Sequence, residues 1–562
     1  MSVHQIGSGR DLLASVPLLA GADPETLDEL VRHLRSVRVY AGDIVIRQGD
    51  PGNCLYLVRS GRLRVLVEHE DGLKTVRELG AGAAIGELAL LTGAPRSATV
   101  QALRDADLLE LEADVFHELL ERDAGFAVAV ARALALQLQA SGGLLPPSPR
   151  PTVISVRALG PAVDPGPFAV ELADALGRFG SVVTLSAADC PEGHATWLDR
   201  AEREHTHVVL LDRDGDDAWS QFCAGQADRR VVLAAPGADD PSKAPAGADL
   251  VVAEPLPRDR LVRLLDELAP RAYHHLEPGR RSASIARVTR RLVGRALGIV
   301  LSGGGARGYA HIGAIQALEE AGFEVDRVGG CSIGAFIGGM HAFGLSPGEI
   351  QERCRDELVR RSPFNDYTLP RVSLIRWRKA ARMLERIFGD TVVEELPVSF
   401  FTVSADLLAS RTVVHRRGLV LEAVGASMAI PGLAPPLSRP GRLLVDGGVL
   451  NNLPVDVMAA DDEGPIVAVD VIRRMEEADE SVAPALPSIM ETLSRATVLG
   501  SVERAERNRR LADLVVTPGV QDVGLREFSA LDRAGAAGRD AMHAVLEAGG
   551  ADRLRARLDA SL

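Results

Sequence analysis

The pattern of apolar and turn-forming residues changes along the chain, and this change constrains the fold more than any other feature. From residue 36 to residue 111, short runs rich in Val, Ile and Leu alternate with turn signals such as AGD, QGDPGN and RSG. Evenly spaced short strands separated by such turns are typical of an antiparallel β-barrel or jelly roll. Because helical periodicity returns over 114–140, we expect a first domain at 12–140 and a Pro-rich linker at 141–151.

A second pattern occupies residues 152–270, where strand-like runs such as TVISV, HVVLL and RVVLAA alternate with helical stretches. This alternation predicts a Rossmann-like α/β layer with a mostly parallel sheet. No glycine fingerprint follows its first strand, so the sequence assigns no chemistry to the layer. A structural or docking role is the simplest interpretation.

Charge and cysteine content limit the partners and the compartment. The formal net charge of −14 opposes non-specific nucleic-acid binding, because such binding needs a cationic field. The five cysteines are scattered and form no CxxC pattern, which favours a reducing compartment. The N-terminus lacks the build of a signal peptide, and no apolar run approaches the ~20 residues that span a bilayer. We therefore expect a cytoplasmic protein that contacts a membrane at most peripherally.

Two basic stretches are candidates for such a membrane contact. The run RRSASIARVTRRLVGR at 280–295 has six arginines and no acid, and we assign 271–295 to a basic linker helix. The run SLIRWRKAARMLERIFG at 373–389 sets Trp377 among cationic residues. A basic amphipathic helix can lie in a lipid interface. An ordinary helix with a solvated charged face has the same pattern, so both alternatives stay open.

The run GIVLSGGGARGYAHIG at 298–313 predicts a strand, a glycine loop and a helix. Backbone N–H groups in a loop at a helix N-terminus form an anion site. The G-x-G-x-x-G spacing within this run also fits a dinucleotide-binding fingerprint, with Glu324 or Asp326 as the ribose partner. The loop alone leaves nucleotide binding, acyl chemistry and a tight structural turn as alternatives.

The next strand ends in Gly330-Cys331-Ser332-Ile333-Gly334, a G-x-S-x-G sequence at a strand-to-helix turn. The glycines let the chain turn sharply, so that the serine oxygen projects into a site. The dipole of the following helix would favour a developing oxyanion. Because this pentapeptide is common by chance, an ordinary turn is the competing interpretation.

A nucleophilic serine needs a base, and the candidate is Asp446. This residue ends an apolar strand in RLLVDGGVLNNLPVD and precedes Gly447 and Gly448. Partial desolvation at such a position raises the pKa of a carboxyl toward useful basicity. A Ser332–Asp446 dyad needs no histidine, whereas a Ser-Asp-His triad would have to use His543.

GGGARG, GCSIG and DGG, in this order, resemble the motif set of patatin-like phospholipases, and ASMAIPGLAPP (426–436) and DGGVLNNLPVD resemble the neuropathy target esterase branch. The resemblance implies a dyad of Ser332 as nucleophile and Asp446 as base, acting on acyl esters of phospholipids or lysophospholipids without a metal or catalytic cofactor. The oxyanion hole that it implies consists of Gly303, Gly304, Gly305 and Arg307. The remaining motif glycines are Gly308, Gly330, Gly334, Gly447 and Gly448.

Residues 82–100, GAAIGELALLTGAPRSATV, resemble the phosphate-binding cassette of cyclic-nucleotide-binding domains. Arg96 can make a charge-assisted fork to the cyclic phosphate, N–H groups at the helix start can complete the anion site, and Glu87 can accept from the ribose 2′-hydroxyl. Ile85 stands where an aromatic residue is common. Ser97 occupies a position whose hydroxyl favours cGMP in some relatives, so cAMP and cGMP both remain candidates. The expected binding residues are Gly86, Glu87, Leu88, Ala89, Arg96 and Ser97.

Taken together, the sequence predicts a multidomain α/β protein. It has a cyclic-nucleotide-binding β-barrel (jelly roll), a Rossmann-like α/β middle layer, a patatin-like α/β hydrolase domain at 296–472 and a mainly helical region at 473–562. We expect a serine esterase acting on phospholipid or lysophospholipid, with regulation by a cyclic nucleotide and contact with a membrane surface but not with nucleic acid. The main alternative is a nucleotide-sensing scaffold with an idle hydrolase site. A regulator of the catabolite-activator type is disfavoured by the Pro-rich linker and the net charge.

Overall fold

A computed structural model of the chain describes residues 19, 23–69, 72–80, 82–141, 152–189, 194–213, 218–238, 240–245, 247–472, 492, 496–497 and 499–559. Most of the predicted linker at 141–151 lies outside the described residues, as do the start of the predicted first domain and residues 473–491. The chain divides into two units, residues 1–250 with 256–271 and residues 251–255 with 272–562.

The first unit begins with the predicted barrel, whose short apolar runs form eight strands. These are β1 (Arg35–Val39), β2 (Ile44–Ile46), β3 (Cys54–Ser60), β4 (Leu63–His69), β5 (Gly72–Leu79), β6 (Ala84–Ile85), β7 (Thr99–Ala102) and β8 (Ala106–Glu112). They pair antiparallel in two sheets, in the orders β1-β8-β3-β6 and β2-β7-β4-β5. The buried side chains of this core include Val58, Leu63, Val100 and Leu108. The helices are Pro24–His33, Glu87–Thr92, Ala113–Arg122 and Ala124–Ser141. The prediction of an antiparallel barrel is confirmed.

The middle layer continues the first unit with a sheet in the order β10-β11-β9-β12-β13. Its strands are β9 (Thr152–Ala158), β10 (Val182–Ser186), β11 (His207–Leu211), β12 (Arg229–Ala234) and β13 (Asp249–Val252). The pairs β10–β11, β11–β9 and β12–β9 are parallel, and β11 is buried along its whole length, as expected for a strand covered on both faces. The helices are Gly166–Leu176, His194–Glu204, Ala218–Gln226 and Arg258–Leu268. The predicted Rossmann-like layer is confirmed.

The second unit is built on an eight-stranded sheet. The unit begins with β14 (Ala272–His275), which is not part of this sheet. The eight strands of the sheet are β15 (Gly298–Leu301), β16 (Arg327–Gly330), β17 (Ser399–Asp406), β18 (Arg411–His415), β19 (Leu437–Arg439), β20 (Arg442–Asp446), β21 (Ile466–Val469) and β22 (Leu514–Val516). The order of the eight-stranded sheet is β19-β20-β17-β16-β15-β21-β22, with β18 paired to β17. Strands β17, β16, β15, β21 and β22 run parallel, whereas β18 and β20 are antiparallel to β17.

Helices cover this sheet. They are Arg281–Leu292, Ala310–Glu320, Ile333–Ala342, Pro347–Cys354, Arg378–Phe388, Val420–Ser427, Val455–Ala459, Val502–Arg509, Leu531–Val545 and Ala551–Leu558. Strand β22 comes from the stretch predicted to be mainly helical, and it adds an edge to the catalytic sheet. None of the helices within the described ranges combines the length and apolar character needed to cross a membrane.

The two basic stretches differ from their predictions in extent. The predicted basic helix at 271–295 contains strand β14 and a shorter helix, Arg281–Leu292, in which Ile285 and Val288 are buried. The stretch at 373–389 contains the helix Arg378–Phe388, which begins directly after the half-buried Trp377.

Candidate active site

Strand register brings Ser332 and Asp446 to the same end of the sheet. Gly330, the last residue of β16, pairs with Thr402 of β17. Two residues further along β17, Ser404 pairs with Asp446 of β20. Ser332 follows Gly330 by two residues, so the serine and the carboxylate lie at one level, beyond the carboxyl ends of the parallel strands. In open α/β sheets this is the edge where ligands bind.

Ser332 occupies a strained turn of the kind that its pentapeptide predicts. Its φ is 54° and its ψ is −120°, a conformation that costs a non-glycine residue about 1–3 kcal/mol. The helix Ile333–Ala342 begins at the next residue. A Cβ on Gly330 would lie 2.5 Å from the carbonyl carbon of Gly334, so only glycine permits this tight turn.

Asp446 ends β20 as a buried carboxylate with uncharged partners. Its Oδ1 accepts a hydrogen bond from the Gly448 N–H at 2.8 Å and a long one from the Cys331 thiol at 3.7 Å. Hydrogen bonding with the Ser332 hydroxyl also lowers the pKa of this carboxylate. Burial raises the pKa of Asp446 to about 6, and the three hydrogen bonds oppose that rise. A carboxylate with this pKa can accept a proton near neutral pH.

Residues 427–429 hold both of these residues in place. The Ser427 hydroxyl accepts a hydrogen bond from the Ser332 N–H at 2.9 Å, which fixes the strained turn. The Ala429 carbonyl accepts the N–H of Asp446 at 2.8 Å. The motif ASMAIPGLAPP indicated the family, but no role for Ser427 was predicted from it. The available signal was a small polar residue at the end of a helix within that motif.

The glycine loop after β15 runs directly beside the serine. A Cβ on Gly303 would lie 3.2 Å from the Ser332 Cβ and 2.5 Å from Oδ1 of Asn452, so a side chain at this position would fill the site. The Asn452 amide donates to the Gly303 carbonyl at 3.2 Å, and this hydrogen bond holds the glycine loop in place. Asn452 was not singled out from the sequence. The other motif glycines also allow close approach, Gly308 to Ile333 and Gly447 to Val403.

The loop presents two N–H groups that no backbone carbonyl in the described part of the chain accepts. Gly303 donates its N–H to the Asn452 carbonyl at 3.2 Å, and Ala306 donates to the Leu525 carbonyl at 2.9 Å. The N–H groups of Gly304 and Gly305 lie between these two anchors. Two adjacent backbone N–H groups without a backbone acceptor can bind an oxyanion.

Arg307, predicted for the same role, makes a different contact. Its Nε donates to the Val523 carbonyl at 2.8 Å. This bond ties the glycine loop to residues near the C-terminal end of the chain. The structure therefore places Gly303 beside Ser332, with Gly304 and Gly305 following it in the loop, and gives Arg307 a contact that holds the loop.

The structure does not support the alternative histidine triad. His543 Nε2 lies 3.3 Å from Glu320, which ends the helix Ala310–Glu320. The glycine loop precedes the opposite end of that helix, which is about 16 Å long at 1.5 Å per residue. The imidazole is therefore far from Asp446.

The alternative dinucleotide interpretation also fails on position. Asp326 precedes β16, at the opposite end of the strand from the glycine loop, and binds Arg290. Glu324 lies in the same segment and contacts Arg290 as well. Neither acid is beside the loop that would hold a pyrophosphate.

The predicted nucleotide site brings Gly86, Glu87 and Arg96 together. Arg96 is 5% exposed, and its guanidinium donates to the Gly86 carbonyl at 3.0 Å and to the Cys54 carbonyl at 2.8 Å. Glu87 is buried at the start of its short helix. The Arg96 fork is therefore already hydrogen-bonded to the backbone that surrounds the site.

The remaining predicted members of this site divide by exposure. Ala89 is buried, whereas Leu88 and Ser97 are exposed. Ile85, where an aromatic residue is common, is buried in the core of the barrel. The position of Ile85 supports a packing role rather than a binding role.

Two protein families match the parts of the chain that contain the two sites. The patatin-like phospholipase family matches residues 299–459, and the cyclic nucleotide-binding domain family matches residues 36–123. An NTE family protein of Mycobacterium tuberculosis is 35% identical, over 96% of this chain and 96% of that protein. The matched ranges contain Ser332, Asp446 and Arg96.

Two longer relatives match most of this chain. Lysophospholipase NTE1 of Cryptococcus neoformans is 30% identical over 79% of this chain and 33% of its own length. Patatin-like phospholipase domain-containing protein 6 of Homo sapiens is 31% identical over 77% of this chain and 37% of its own length. Among solved structures, the cAMP-bound regulatory domain of Toxoplasma gondii PKA is 34% identical over 21% of this chain and 46% of that chain, with a TM-score of 0.21.

Proposed function

Because the chain belongs to the NTE family, we propose that Ser332 and Asp446 form a catalytic dyad that hydrolyses acyl esters of phospholipids or lysophospholipids. Family membership makes the chain an ester hydrolase of the patatin-like phospholipase class, as its motifs predict. The observation that carries the proposal is the placement of Ser332 on a strained turn at the level of the buried Asp446 carboxylate, whose pKa burial raises to about 6.

Acylation begins at the Ser332 oxygen. Asp446 takes the hydroxyl proton while the oxygen attacks the ester carbonyl carbon, and the carbonyl π electrons move onto oxygen. The N–H groups of Gly304 and Gly305 bind the resulting oxyanion, and one such donor is typically worth ~10²–10³ in rate. Collapse of the tetrahedral intermediate breaks the ester C–O bond. Asp446 returns the proton to the departing alcohol, and the acyl group stays on Ser332.

Deacylation repeats the sequence with water. Asp446 accepts a proton from water as the water oxygen attacks the acyl carbon of Ser332. The second oxyanion uses the same loop donors. Its collapse breaks the bond between the acyl carbon and the Ser332 oxygen and releases the fatty acid, and Asp446 returns its proton to the serine oxygen. The strained turn at Ser332 and the hydrogen bond to Ser427 keep the nucleophile in one orientation through both steps.

Fatty-acid release from lysophosphatidylcholine tests this proposal. We expect the Ser332→Ala variant to release none, whereas Ser438→Ala, an exposed serine on β19, should match the unchanged protein. A fluorophosphonate probe should label the protein and the control but not Ser332→Ala. Release that persists without Ser332 would refute the dyad. A folded protein that the probe does not label would favour the scaffold with an idle site.

We also propose that a cyclic nucleotide binds at Gly86, Glu87 and Arg96 and regulates the hydrolase. The hairpin after β7 supports a route for the signal, because it docks on the middle layer within the first unit. The Asp105 N–H donates to the Gly225 carbonyl at 2.9 Å, and the buried Arg104 pairs with Glu202 at 2.6 Å.

Calorimetric titration with cAMP and with cGMP tests nucleotide binding. We expect heat of binding with the unchanged protein and a loss of affinity of tenfold or more in Arg96→Lys, which keeps the charge but loses the bidentate fork. Ester hydrolysis measured along the same titration tests regulation. A flat titration and an unchanged hydrolysis rate would exclude a nucleotide signal.

A further inference from the structure

A short loop in the second unit exposes apolar side chains at its tip. Residues 366–376 fold back on themselves, since the Arg376 N–H donates to the Asp366 carbonyl at 2.9 Å and the loop closes again above that bond. Leu369 is 73% exposed and Val372 is 70% exposed, the two largest values for big apolar side chains among the described residues. Exposed apolar groups on an ordered loop indicate a binding surface.

One side of this loop is tied to the segment that positions Asp446. The Leu374 N–H donates to the Gly432 carbonyl at 2.9 Å, and the Ile375 N–H donates to the Leu433 carbonyl at 3.0 Å. Three residues before Gly432, the Ala429 carbonyl accepts the Asp446 N–H. The loop is therefore anchored a few residues from the base.

The other side of the loop is tied to the glycine loop. The Tyr367 hydroxyl accepts a hydrogen bond from Arg526 at 2.9 Å. The neighbouring Leu525 carbonyl accepts the Ala306 N–H and lies directly against Gly305. The 366–376 loop thus connects to both walls of the active site, and its exposed tip stands at the rim.

The charges around the tip are one-sided. Residues 366–382 hold five cations and a single carboxylate, although the whole chain has a net charge of −14. The carboxylate is Asp366, whose Oδ2 already accepts the N–H groups of Arg378 and Lys379. The exposed arginines of this segment are Arg371, Arg376, Arg378 and Arg382, and none of them makes an ion pair within the described residues. A cationic collar around an apolar tip complements an anionic lipid surface.

We propose that the 366–376 loop is the element that docks the hydrolase on an anionic lipid surface. Leu369 and Val372 enter the acyl region, and the arginines at the base of the loop bind the head-group phosphates. The inference rests on the proposed function, because the surface would present its esters to Ser332. The loop is already closed by backbone hydrogen bonds, so little ordering entropy is lost on docking.

Vesicle binding tests the docking loop without hydrolysis. The full chain with Ser332→Ala is mixed with vesicles of phosphatidylcholine containing phosphatidylglycerol, and bound protein is separated by sedimentation. Adding Leu369→Ser and Val372→Ser should weaken partitioning by tenfold or more, because each apolar side chain of this size contributes about tenfold when buried. Val170→Ser, at 60% exposure on a helix of the middle layer, is the matched control and should change nothing.

The charge component has its own test. Arg371→Gln with Arg376→Gln should weaken binding to the phosphatidylglycerol vesicles several-fold and flatten its dependence on salt. Binding to pure phosphatidylcholine vesicles should change little. Arg263→Gln, an exposed arginine of the first unit, is the matched control.

Two further outcomes separate this inference from the proposed function. With Ser332 intact, the Leu369→Ser, Val372→Ser protein should hydrolyse the water-soluble ester p-nitrophenyl butyrate at the unchanged rate but lose activity on vesicles. Vesicle binding by this variant equal to that of the parent protein would overturn the docking loop. Hydrolysis that survives Ser332→Ala would overturn the dyad and leave the binding result standing.

Discussion

The catalytic sheet has a buried carboxylate at each end, and the two are held in opposite ways. Before β16, Asp326 is fully buried and accepts two hydrogen bonds from Arg290, at 2.6 and 2.8 Å. At the end of β20, Asp446 is equally buried, but its donors are the Gly448 N–H and a thiol, and no cation within the described residues lowers its pKa. Burial raises the pKa of both carboxyls, and only at Asp326 does a guanidinium oppose that rise.

The difference teaches that the partner, rather than burial itself, determines what a carboxylate does. The salt bridge with Arg290 makes Asp326 a link between the helix Arg281–Leu292 and the sheet. Asp446 has no such cation in the described part of the chain, and its pKa of about 6 lets it exchange a proton near neutral pH. One end of the sheet therefore holds its carboxylate in an ion pair, and the other holds the carboxylate for which we propose a role as base.

The largest expected effect comes from Asp446→Asn. We expect the rate of ester hydrolysis to fall by about 10²–10⁴, because the amide cannot accept the serine proton. The free energy of unfolding should rise by about 1–3 kcal/mol at pH 8, because the variant no longer buries an ionised group. Hydrolysis and urea unfolding, measured on the same preparation, check both parts.

The pH dependence of that stability gain fixes its cause. Asp446 has a pKa raised to about 6, so its stabilising contribution is present below its ordinary value near 3.8 and is lost as pH rises through 6. The variant and the unchanged protein should therefore differ little at pH 4 and most above pH 6. A gain that is the same at every pH would contradict this account.

The opposite result is expected for Asp326→Asn. The substitution removes the buried carboxylate that Arg290 binds and leaves it, among the described residues, only the exposed Glu324 as an ion-pair partner. We therefore expect the free energy of unfolding to fall by about 3 kcal/mol. Each folded molecule should retain its hydrolysis rate, because Asp326 lies at the far end of β16 from Ser332. Urea unfolding and active-site titration measure the two quantities. A variant that is stable but inactive would reverse the roles assigned to the two ends.

The tight turn at Ser332 and the strand end at Asp446 could be predicted from the sequence, but the ion pairs at the other end of the sheet could not. Ser332 and Asp446 lie in local motifs whose glycines mark a tight turn, so short-range patterns were sufficient. The arginines of 280–295 gave a basic pattern that fitted a membrane helix or a solvated one equally well. Their partners, Asp326 and Glu463, are distant in sequence, and only tertiary packing reveals them. The contacts of Ser427 with Ser332 and of Leu525 with Ala306 could not be predicted for the same reason.

A smaller effect is expected in the pH profile. If Asp446 is the base, kcat/KM should be level above pH 6 and should fall tenfold per pH unit below it. His415 contacts Ser404, the residue that pairs with Asp446 in the sheet. Burial lowers the pKa of His415 to about 4, so its titration cannot cause a fall in kcat/KM near pH 6. If kcat/KM of His415→Gln falls below pH 6 with the same slope and midpoint, the assignment of this fall to Asp446 is supported. Loss of the fall in this variant would contradict the assignment.

The smallest expected effect concerns Cys331, whose thiol is 3.7 Å from the Asp446 Oδ1. Because this weak donor lowers the pKa of Asp446, Cys331→Ala should move the acid limb of kcat/KM upward by a few tenths of a pH unit and change the plateau less than threefold. Cys354→Ala, at an equally buried cysteine away from the site, is the matched control and should leave the limb in place. A downward shift in Cys331→Ala, or an equal shift in the control, would show that the uncharged donors around Asp446 do not tune it. The contrast between the two carboxylates would then rest on the Arg290 guanidinium at Asp326 alone.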